Sequence, residues 1–150
     1  VMGFARAERR TGLDDLAAAI DWGPLEARLA AISPPGRGEP GWPPLALLKA
    51  LLIGVWHDLS DVRLAEALED RASFRRFCGF SSSEATPERT AFVRFRRELV
   101  RLRLDKPLFA EVVRQLDARG LTVRTGALVD ATVIRAASKD DAEAGWKAYG

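Results

Sequence analysis

The segment PPLALLKALLIGVW, residues 43–56, sets the kind of fold open to this chain. Lys49 is its one charge, and apolar side chains point in almost every helical direction, so no polar seam marks an outer side. Such a helix has to be enclosed by other elements. It is also too short to cross a bilayer, which takes about 20 apolar residues. The pattern over 45–57 therefore predicts the central helix of a helical core.

The flanking sequence supplies the enclosure. Residues 13–32 hold two short amphipathic helices, LDDLAAAI and PLEARLAAI, the second opened by Pro24, with Asp21 marking the stop of the first. SPPGRGEPGWPP, 33–44, is too rich in proline and glycine for regular structure and is a linker. Beyond the central helix, Ser60 is placed to cap DVRLAEALEDR, on which Val62, Leu64, Ala65 and Leu68 are expected to share a face. ASFRRFCGF follows as a short helix closed by Gly79, with Phe74, Phe77 and Cys78 inward and Arg75 and Arg76 outward. Thr86 and Pro87 are expected to cap and open the next helix, PERTAFVRFRRELVRLRL, whose Phe92, Phe95, Leu99 and Leu102 recur at core spacing. DKPLFAEVVRQLDARG forms a last amphipathic helix, ended by Gly120.

The period then changes. LTVRTGALVDATVIRA is rich in β-branched residues and is expected to be extended, with Gly126 as a break. On such a strand Leu128, Asp130, Thr132 and Ile134 share one face, and Val129, Ala131 and Val133 the other. A strand apolar on both faces belongs inside a covered sheet, where a lone carboxylate loses hydration and needs compensation. For Asp130 this is a strand-end position, backbone hydrogen bonds in a turn, an arginine partner, or a divalent cation such as Mg²⁺ shared with other carboxylates.

Charge points to a partner. The net charge is only +2, but residues 71–103 carry nine arginines against three glutamates, which marks where a polyanion would be met. Two short helices, a turn and a longer arginine-rich helix follow the order of a helix-turn-helix, and guanidinium groups can bridge phosphate oxygens or the edge of guanine. Arg75, Arg76, Arg89, Thr90, Arg94, Arg96, Arg97 and Arg101 are the candidate DNA-contacting residues. Two other readings stay open: the arginine-rich helix docks on another protomer or domain through its arginines, or its arginines simply cover solvated faces.

Single cysteine and histidine residues exclude an internal disulfide and leave too few soft ligands for a structural zinc. Cys78 is expected in the core and His57 is expected to complement the C-terminal dipole of the central helix. Trp22, Trp42, Trp56 and Trp146 are expected to anchor core and linker, and Asp140 and Asp141 to be solvated. The start, VMGFARAERR, carries no secretory signal, and a reducing, cytosolic setting fits the cysteine usage.

Taken in order, IDWGPLE, GWPPLALLKALLIGVWHDLSDVRLAEALEDRASFRRFCGF, TPERTAFVRFRREL and GALVDATVIRAA resemble the N-terminal part of bacterial insertion-sequence transposases of the insertion-sequence-five-like group. The resemblance implies a mainly α fold: a helical N-terminal bundle with a helix-turn-helix-like part, followed by the first strand or strands of an incomplete α/β ribonuclease-H-like core. It divides the chain into N-terminal helices and linker (1–42), a helical DNA-binding or association domain (43–120) and the start of a DDE catalytic core (121–150). It implies DNA-end binding for transposition, with double-stranded terminal repeats as partner, a second copy or a full-length transposase as protein partner, no membrane, and a bacterial, nucleoid-associated setting in the cytoplasm. By the match to VDATVI, Asp130 is the first catalytic carboxylate and a ligand of Mg²⁺ or Mn²⁺ in the intact enzyme; the metal pair activates water and then a DNA 3′ hydroxyl. Where the family commonly carries an aspartate and a histidine ahead of the arginine-rich helix, this chain has Glu88 and Arg89. Segments matching the second aspartate and the glutamate are not found, so the expectation is a transposase fragment that is catalytically silent alone. The alternative is a stand-alone DNA-binding or dimerisation module that regulates a full-length transposase.

Overall fold

The computed structural model describes residues 12–32, 41–123 and 134–136. Among them are seven helices: α1 (Gly12–Ala19), α2 (Gly23–Leu29), α3 (Pro44–His57), α4 (Asp61–Asp70), α5 (Ala72–Cys78), α6 (Arg89–Arg101) and α7 (Asp105–Ala118). The protein is mainly α, as the sequence periodicity predicts.

Helix α3 is the centre. Leu48, Ala50, Leu52 and Ile53 are wholly enclosed, and α2, α4, α5 and α6 pack around it. Its one charge, Lys49, sits with the ammonium 4.6 Å from the centroid of the Trp22 ring, which offers a cation–π contact in place of lost water. Burial still holds this ammonium below its usual pKa. Leu16 of α1, Leu25 of α2, Leu64 and Leu68 of α4, Phe92 and Leu99 of α6 and Leu108 of α7 join α3 in one continuous core. Each such side chain contributes about 1.5–3 kcal/mol through removal from water. Phe77 is the aromatic hinge point: Trp22 and Trp56 meet it edge-on at 5.7 and 6.0 Å.

Three helices end in the same way. Asp58 (φ 57°), Gly79 (φ 93°) and Arg103 (φ 58°) adopt the left-handed conformation after α3, α5 and α6. The next amide, of Leu59, Phe80 or Leu104, then donates back to the carbonyl five residues earlier, each at 2.8 Å. This closes the helix and turns an apolar residue onto the core. Ser60 caps α4 by accepting from the Arg63 amide at 3.2 Å, as expected. The α1–α2 junction is fixed from a distance, because the Gln115 side chain on α7 accepts from the Asp21 amide at 2.6 Å and donates to its carbonyl at 2.9 Å.

Two expectations need correction. Helix α6 begins at Arg89, with Glu88 in extended conformation before it, not at Thr86–Pro87. Pro87 is buried in the wall and the Thr86 hydroxyl is enclosed without a hydrogen-bond partner, so this pair anchors the preceding loop and leaves α6 without a side-chain cap. On α4 only Leu64 and Leu68 are buried, while Val62 is 49% exposed because at 100° per residue it lies well over a third of a turn off their line.

After α7, β1 (Leu121–Val123) pairs antiparallel with β2 (Ile134–Ala136), Thr122 lying opposite Arg135. The expected extended region is thus described only at its two ends. Residues 124–133, with Asp130, and residues 137–150, with Asp140, Asp141 and Trp146, lie outside the described residues, as do 33–40 of the expected linker. No helix among the described residues is long and apolar enough to cross a membrane.

Candidate nucleic-acid interface

Helix α6 has two opposed sides. Phe92, Phe95 and Leu99 are buried, and they fix the rotation of the helix about its axis. At 100° per residue, Thr90, Arg94, Arg97 and Arg101 then fall on one line along the opposite side, about 16 Å from end to end. All four are exposed. Arg94 and Arg97 have no carboxylate within ion-pair distance among the described residues. Arg101 is held by Glu98 through a fork of 2.8 and 2.9 Å, and that hydrogen bonding keeps the Glu98 carboxyl below its ordinary pKa. Arg89 is exposed on a flank of the helix, away from this line.

The other candidate arginines have internal partners. Arg75 donates to the backbone carbonyls of Ser81 (2.7 Å), Glu84 (2.9 Å) and Glu69 (3.4 Å), and so ties the loop after α5 to the end of α4. Arg76 is 54% exposed and pairs with Asp14 of α1 at 3.1 Å. Arg96, on the core-side flank between Phe92 and Leu99, makes a two-pronged bond to Asp61 at the start of α4, at 2.9 and 3.0 Å. The structure therefore brings Thr90, Arg94, Arg97 and Arg101 together and sets Arg75, Arg76 and Arg96 apart from them. Position 96 could have been separated by spacing alone, since it lies four residues after Phe92 and three before Leu99. Arg75 offers no such signal, because its partners are carbonyl groups of a loop.

A groove of about 440 Å³ opens on another side, between the end of α3, α4 and α5. His57, Arg63, Glu66, Asp70, Arg71 and Phe74 contribute to its lining. Its two arginines face two carboxylates, so it carries no excess of one sign and does not suit a polyanion. The His57 ring lies edge-on to Phe74 at 4.8 Å with Nε2 enclosed and unpartnered. Burial, then the nearby Arg71, lowers its pKa to about 4. His57 is thus neutral near pH 7 and does not complement the α3 dipole with a charge, contrary to the sequence expectation. Cys78 is a core thiol, pushed up to about 12 by burial, and is unreactive as a nucleophile at neutral pH.

Among the described residues no group of three or more His, Cys, Asp or Glu is placed to hold a metal ion. Asp130 lies outside them.

No solved structure matches the chain. A family model described as Transposase domain (DUF772) matches residues 4–98, which takes in α1 to α5 and most of α6. That is more than half of the sequence, and the chain belongs to this transposase-domain family.

Proposed function

We propose that the chain binds double-stranded DNA through the outward side of α6, and that this binding serves recognition of element ends in DNA transposition of the insertion-sequence-five-like kind. The observation that carries the proposal is the line of Thr90, Arg94, Arg97 and Arg101, exposed opposite a buried Phe92–Phe95–Leu99 side, with two guanidinium groups that have no carboxylate partner among the described residues. Guanidinium groups at this spacing along a helix can neutralise successive phosphates and release their counterions, or lie against guanine O6 and N7 in the major groove. The Thr90 hydroxyl adds a neutral hydrogen-bonding group at the start of the line.

The resemblance of VDATVI carries a second part of the reading. Asp130 is assigned as the first carboxylate of a DDE two-metal site in a ribonuclease-H-like core. Bound Mg²⁺ or Mn²⁺ would supply activation of the attacking water or 3′ hydroxyl. In this reading the helical part binds and orients the DNA.

The test is a salt titration of binding to a fluorescein-labelled mixed-sequence duplex. Log affinity is expected to fall linearly with log salt, and the double variant Arg94→Ala, Arg97→Ala to lower affinity about tenfold or more while reducing the slope by about 2. Unchanged affinity in the double variant would remove α6 from the interface. Association that ignores salt would favour protein–protein docking through this helix instead.

A further inference from the structure

We infer that Asp61 and Arg96 form a positioning pair, setting the outward line of α6 at a fixed angle to α4 so that Arg94 and Arg97 can engage DNA together. The inference rests on the interface proposed above and deepens it. Arg96 belongs to the arginine-rich run, yet it lies well over a quarter turn from the Thr90–Arg94–Arg97–Arg101 line and cannot face the same surface. Its guanidinium instead meets both oxygens of Asp61, at 2.9 and 3.0 Å, across 35 residues of sequence. The arrangement is stiff for three reasons. The bond is a two-pronged fork, which fixes orientation as well as distance. Both side chains are partly screened from water, at 40% and 22% exposure. Asp61 is also the first residue of α4, directly after the Ser60 cap, where the helix dipole favours its negative charge. Packing of Phe92, Phe95 and Leu99 fixes the rotation of α6 about its axis, and the fork adds a directional tie between α6 and the start of α4.

The sign of the effect makes the inference testable. Asp61 is an anion near a polyanion-binding helix, so on charge alone its removal should tighten DNA binding. If it acts through Arg96, its removal should weaken binding. With the whole chain and the same labelled duplex at low salt, Asp61→Asn is expected to lower affinity about fivefold, comparable to a typical coupling between contacting residues. The slope of log affinity against log salt is expected to stay as in the wild type, because no phosphate contact is lost. The charge reversal Asp61→Arg with Arg96→Asp is expected to recover much of the lost affinity, with thermal melting followed in parallel to show that each variant is folded. Wild-type or tighter binding by Asp61→Asn overturns the inference. So does a reduced salt slope in Arg96→Gln, which would make Arg96 a phosphate contact itself. Should the Arg94→Ala, Arg97→Ala variant bind normally, the interface falls and this inference with it; loss there without loss in Asp61→Asn removes the positioning role alone.

Discussion

The arginines of α5 and α6 have the same chemistry and opposite circumstances. Arg75 is surrounded by the carbonyl groups of Ser81, Glu84 and Glu69, and Arg76 reaches across to Asp14, so both close contacts within the protein. Arg94 and Arg97 stand exposed on the far side of a helix whose other side is buried, with no carboxylate at ion-pair distance among the described residues. The difference comes from helix length and surroundings. Helix α5 is two turns long and bordered by α1, α3 and α4, which leaves its polar groups close to backbone ends that need donors. Helix α6 is longer and keeps one whole side clear. A count of arginines therefore overstates the charge left available to an anionic partner; what matters is which guanidinium groups lack a partner among the described residues.

The contrast breaks most visibly at Arg75. Arg75→Ala is expected to destabilise the fold by about 2 kcal/mol, because it strips carbonyl groups of a charge-assisted donor and frees the loop that leads into α6. Chemical denaturation checks this, and a loss no larger than that of an exposed surface site would return Arg75 to the pool of available charges.

His57 sharpens the comparison from the other side, since its burial and then the nearby Arg71 disfavour its protonated form. A folded-state pKa of about 4 against the ordinary 6.5 means that the unfolded chain takes up the proton first. Stability is then full above pH 6.5 and declines as pH falls from there toward 4. Melting temperature followed across that window should drop in the wild type and flatten in His57→Gln; equal slopes in the two would show that the ring is not held neutral. The smallest effect is expected at Arg76. Its pair with Asp14 is exposed, so Arg76→Ala should change stability by about 0.5 kcal/mol or less. Denaturation again measures it, and a loss as large as at Arg75 would mean that exposure is a poor guide here.

Much of this fold could be read from local patterns. The all-round apolar character of residues 45–57 gave α3 its central place, and the spacing of Phe92, Phe95 and Leu99 gave the buried side of α6 and so, by geometry, the outward line. Gly79 marked the end of α5 because its backbone turns left-handed there. What local patterns did not carry were contacts between distant residues. Asp61 and Arg96 are 35 residues apart, and Gln115 meets Asp21 over 94, so neither pair leaves a trace in periodicity. Thr86–Pro87 matched a helix start in composition, but the burial of Pro87 assigned the pair to the loop. Asp130 was prominent in the sequence through its apolar neighbours, and it lies outside the described residues.

Arginine-selective modification by phenylglyoxal, mapped by mass spectrometry with and without a DNA duplex, tests the central claim most directly. Arg94 and Arg97 are expected to react readily in the free protein and to be protected once DNA is bound, while Arg75 reacts slowly in both states. Undiminished reaction at Arg94 and Arg97 in a protein–DNA complex shown to be formed would contradict the assignment of α6 as the DNA-facing helix.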